Sequence, residues 1–86
     1  MTKRRQQSIL DRYHRHADAW SELSGPAGRI EQTTYGHLAE LSGLHPGSVG
    51  RTLARMQALG IISDLTSHQA DGTAFTMVAP GEEVLP

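Results

Sequence analysis

Arg51 and Arg55 stand four residues apart, with Gly47 and Ser48 on the same side at helical spacing. Lys3, Arg4 and Arg5 cluster near the start of the chain, followed by Arg12 and Arg15. Cationic groups grouped this way suit a polyanion, because each neutralised phosphate releases a counterion. The other chemistries fall away. His14 and His16 are two apart on a helix and point to different faces, and His37, His45 and His68 lie on separate elements. No pair has metal-ligand spacing. With no cysteine there is no disulfide framework, thiolate zinc site, iron–sulfur cluster or thiol nucleophile. Gly43-x-x-x-Gly47-x-x-Gly50 lacks the Lys-Ser/Thr of a phosphate loop and follows no strand. Glu82-Glu83 has no pocket, and no Ser/His/Asp arrangement can be placed. The expectation is a non-enzyme without metal or cofactor.

The charges are ordered although their total is −1. In residues 1–16 five bases stand against one acid, leaving +4; in residues 63–86 four acids stand alone, leaving −4. Binding responds to fields within a Debye length of about 8–10 Å, not to the total. A basic front and an acidic back are therefore compatible with a polyanion-binding face.

The elements that must position these groups follow from periodicity. The chain has 86 residues, one small domain with one modest core. Ile9, Tyr13, Ala17, Trp20 and Leu23 share one face of a helix over about 6–24, with His16 on the same side. That stripe is either core or a dimer contact. Ser24-Gly25-Pro26-Ala27-Gly28 ends the helix. Residues 29–32 read as a short extended stretch. Thr33 and Thr34 are candidate caps for a helix over about 35–42, stopped by Gly43. Pro46 suits the first position of a third helix, over 46–59, which buries Val49, Leu53 and Met56. Residues 61–65 and 73–78 read as strands around a polar loop, 66–72. The organisation expected is an arm over 1–5, a domain over 6–78 and an acidic tail over 79–86.

Two short helices joined by a tight Gly-containing turn follow the helix-turn-helix plan. Ala39 is small where the helices cross, Gly43 takes the left-handed turn position, and Val49 plugs the second helix into the core. The stretch from Tyr35 to Ile62, with its Leu59-Gly60-Ile61-Ile62 passage toward a hairpin, resembles the winged helix-turn-helix domains of bacterial transcriptional regulators. The resemblance covers roughly residues 30–78. It implies a mainly α fold with a small β-hairpin, in the order α-(β)-α-α-β-β.

It also implies that the third helix lies in the DNA major groove, with Gly47, Ser48, Arg51, Thr52 and Arg55 facing DNA. Arg51 suits bidentate pairing with guanine, worth about 1–3 kcal/mol of discrimination. Arg55 and Ser48 suit phosphate. Gly47 and Gly50 depart from the family pattern, marking either close approach to the DNA backbone or loosely selected surface. His45 stands at the N-cap, where an imidazole is expected to cap poorly; it either faces DNA or is plain surface. The loop over 66–72 holds no Lys or Arg, so a wing contact would fall to Ser67, His68 and Gln69. Lys3, Arg4 and Arg5 either reach phosphates as an arm or form a solvated cluster.

The function expected is sequence-specific double-stranded DNA binding by a small transcriptional regulator or repressor, acting as a homodimer. The alternatives are a DNA-binding module of plasmid or phage replication or partition, and a winged helix used for protein–protein contact. No small-molecule effector is evident. No apolar run approaches the about 20 residues needed to cross a bilayer, and no apolar segment follows the basic cluster. The expected compartment is the cytoplasm.

Overall fold

Each junction in the middle of the chain is closed by a local hydrogen bond. Thr34 Oγ1 accepts from the His37 N–H at 3.1 Å, starting α2, Tyr35–Ser42. Gly43 turns the chain with φ 75°, and the Leu44 N–H donates to the Ala39 carbonyl at 3.1 Å. His45 Nδ1 accepts from the Gly47 N–H at 3.0 Å, and Pro46 opens α3, Pro46–Ala58. The His45 imidazole thus caps the helix, contrary to the expectation that it would cap poorly. Acceptance at Nδ1 requires a neutral ring with its proton on Nε2.

The computed structural model describes residues 3–24, 28–68 and 72–78. α1, Lys3–Trp20, precedes a single 3-10 turn, Ser21–Leu23, and the strand β1, Arg29–Thr33. After α3 come β2, Ile62–His68, and β3, Gly72–Met77. The three strands form one antiparallel sheet in the order β1-β3-β2. The protein is mainly helical with a small sheet, and the extended stretch over 29–32 is the third strand of that sheet.

Trp20 organises the core. It is fully buried, its Nε1–H donates to the Leu38 carbonyl at 2.9 Å, and its ring meets Phe75 edge-on at 5.8 Å. Ile30, Leu38, Val49, Leu53, Met56 and Ile62 close around this pair. One side chain therefore links α1, α2 and the sheet.

Several boundaries differ from expectation. The basic cluster at 3–5 is not an arm in its backbone: Lys3, Arg4 and Arg5 are the first turn of α1. Lys, Arg and Gln are good helix formers and nothing in 3–8 breaks the helix. The α-helix ends at Trp20 and not at Ser24. There the hydroxyl of Ser21 donates to the Asp18 carbonyl and that of Ser24 to the Ser21 carbonyl, each at 2.7 Å. Such bonds compete with helical pairing and tighten the turn. Thr66, Ser67 and His68 belong to β2, not to a loop, because they pair with Ala74, Thr73 and Gly72. One extra residue bulges out of each outer strand, where Gln32 of β1 has φ 44° and Asp64 of β2 has φ 54°.

Candidate nucleic-acid interface

α3 presents three distinct surfaces. Val49, Leu53 and Met56 are buried. Opposite them, Gly47, Arg51, Ala54 and Ala58 form an exposed ridge in which Arg51 is the only side chain longer than a methyl group. On the flank toward α1, the exposed Arg55 sits with half-buried Ser48 and Thr52. Those three residues, Arg51 and Tyr13 of α1 line an open cleft of about 220 Å³. Ser48, Arg51, Thr52 and Arg55 are thus brought together, as their spacing predicts. Tyr13, which the periodicity places on the stripe read as core or dimer contact, joins them.

Among the described residues, neither Arg51 nor Arg55 has a hydrogen bond or ion pair. Both guanidinium groups are free to meet an anion. On α1, His16 lies between Tyr13 and Trp20, at ring separations of 6.3 and 6.2 Å. Burial first, then the charges of Arg12 and Arg15, lower its pKa, so the ring is neutral at neutral pH.

The remaining expected contacts scatter. His45 is exposed, but its Nδ1 is committed to the cap. The Ser67 hydroxyl shares a 2.9 Å hydrogen bond with the Tyr35 hydroxyl, which ties β2 to the start of α2. His68 ends β2, Lys3–Arg5 open α1, and Gln69 and the tail over 79–86 lie outside the described residues. Sequence reasoning missed a second tie: the Leu65 N–H donates to Gln57 Oε1 at 3.0 Å, fixing β2 to the last turns of α3. Gln57 and Tyr35 carry no periodic signal that marks them for these roles.

The two glycines of α3 have separate explanations. At Gly47 a Cβ would sit 3.1 Å from His45 Nδ1, so the missing side chain makes room for the capping ring. At Gly50 a Cβ would meet the Tyr35 ring at 3.4 Å, an ordinary contact. Gly50→Ala is therefore expected to raise the thermal midpoint, since alanine gains up to about 1 kcal/mol in a helix interior. Gly47→Ala should gain less or lose stability, because the imidazole must shift. Paired melts followed by circular dichroism check both; a lower midpoint for Gly50→Ala would show that the Tyr35 ring tolerates no methyl there.

Compared with family models and with curated proteins, the chain matches none. Within the described residues, no helix is long and apolar enough to cross a membrane, and no group of His, Asp and Glu could hold a metal ion.

Proposed function

We propose that this chain is a winged helix-turn-helix protein that binds double-stranded DNA through α3, as a small cytoplasmic transcriptional regulator. The observation that carries the reading is the exposed ridge of α3, with one unpaired arginine among residues no larger than alanine. A smooth helix face lets the backbone settle deep in a major groove while Arg51 reaches a guanine edge. Capping at both ends of the α2–α3 turn fixes the angle at which that face is presented. A homodimer fits α1, whose buried residues Ala17 and Trp20 lie near its end while Ile9 and Leu10 stay half-exposed. Twofold pairing would set two copies of α3 on half-sites about one DNA turn apart.

The test is selection from a random duplex library, followed by titration of the enriched sequence at several salt concentrations. Arg51→Ala should weaken binding to the enriched site by about 1–3 kcal/mol and weaken random DNA much less. Absence of any enriched sequence at physiological salt removes the regulator reading. One observation favours a second reading, a protein–protein contact: the described parts of β2 and β3 hold no Lys or Arg to meet a phosphate. Under that reading the library yields nothing and Arg51→Ala leaves the weak binding of random DNA unchanged.

A further inference from the structure

We infer that the cleft between α1 and α3 holds one phosphate group, clamped between Tyr13 and the Ser48, Thr52 and Arg55 side chains, with Arg51 lining the cleft but left to reach a base. The inference relies on the double-helix reading for the source of that phosphate, a backbone diester, but not for the existence of the clamp. All five lining residues can donate hydrogen bonds, and no carboxylate lines the cleft. Two guanidinium groups one helical turn apart bring positive charge to one side of it. Three hydroxyls, from Tyr13, Ser48 and Thr52, supply short, directional donors to an oxyanion.

Size points the same way. At about 220 Å³ and open to solvent, the cleft is smaller than the roughly 300–1,000 Å³ of sites that enclose a small-molecule ligand. It suits a single tetrahedral oxyanion that is part of something longer. Tyr13 lines the cleft from α1. Its ring packs against His16 and is only half-buried, and its hydroxyl has no hydrogen-bond partner among the described residues. Phenylalanine would serve the packing as well, so the hydroxyl is available to exchange water for an entering acceptor. Because Tyr13 and α3 belong to different helices, a phosphate held between them also fixes the direction in which a nucleic-acid strand crosses α1.

Tyr13→Phe is the discriminating variant, since it keeps the ring and removes only the donor; Thr52→Val is the second. Wild type and both variants are titrated as full chains with a short random-sequence duplex and, separately, with inorganic phosphate. Affinity is read by fluorescence anisotropy and location by amide shifts of α3, with thermal midpoints verifying the fold. Tyr13→Phe should weaken duplex binding about tenfold while the midpoint holds. Duplex binding that is equal in wild type and both variants overturns the clamp and leaves the double-helix reading standing. No duplex binding, but phosphate-induced shifts in α3 that weaken in Tyr13→Phe, keeps the clamp with free phosphate as its source and removes the double helix. If neither probe binds, both proposals fall.

Discussion

Trp20→Ala is expected to leave the chain largely unfolded at room temperature. The indole is completely buried and is the largest side chain in the core. Truncating a buried tryptophan costs about 3–5 kcal/mol, from lost transfer free energy and the cavity left behind. The Leu38 carbonyl, which accepts from Nε1, would also lose its partner, adding about 1–3 kcal/mol if water cannot replace it. At about 0.05–0.15 kcal/mol per residue, a domain of this size has only about 4–13 kcal/mol in total. Far-UV circular dichroism and urea titration measure the loss. Trp20→Phe serves as the graded control, because it keeps the contact with Phe75 and removes the hydrogen bond. If Trp20→Ala melts within a few degrees of wild type, the indole does not join α1 to α2 and the sheet as described.

The second large effect is expected at Gly72, the first residue of β3. Its φ is 92°, a conformation that L side chains adopt at a cost of about 1–3 kcal/mol. A Cβ there would also collide with the carbonyl oxygen of Thr33, which is backbone and cannot rotate away. Gly72→Ala must therefore push β1 off β3, and we expect a loss of about 3 kcal/mol or more. Gly43→Ala separates the two causes. Gly43 also has positive φ, 75°, but a Cβ there meets open space, so only the conformational cost of about 1–2 kcal/mol remains. Equal midpoints for the two variants would mean that the Thr33 carbonyl does not press on Gly72 and that only the backbone conformation counts.

The parts of the fold legible in the sequence are those fixed by local chemistry. Thr34, Gly43 and Pro46 act within a few residues of themselves, and they bound α2 and α3 as expected. Val49, Leu53 and Met56 face inward because helical spacing leaves them no other choice. What could not be read depends on partners distant in the chain. Thr66-Ser67-His68 looks like a loop because it is polar and does not alternate; Gly72, Thr73 and Ala74 make it a strand. The run at 3–5 looks like an arm because its charge draws the eye more than its helix propensity. His45 looks unfit to cap until Gly47 is seen to leave its ring the space. In the candidate site, Ser48, Arg51, Thr52 and Arg55 were readable as one face of one helix. Tyr13 was not, since its place in the cleft depends on how α1 lies against α3.

The bulges at Gln32 and Asp64 bear on what happens in a crowded solution. A three-stranded sheet has two open edges, and an open edge invites a strand from a neighbouring molecule to extend the ladder. Here each outer strand carries one unmatched residue, while the central β3 is the partner of both. The kink interrupts the even row of donors and acceptors that an incoming strand needs. On β1 the paired side chains of Arg29 and Glu31 add charge along the same edge. Each outer strand thus offers an incoming strand only a broken ladder, so concentrated samples are expected to stay clear, with light scattering as the check.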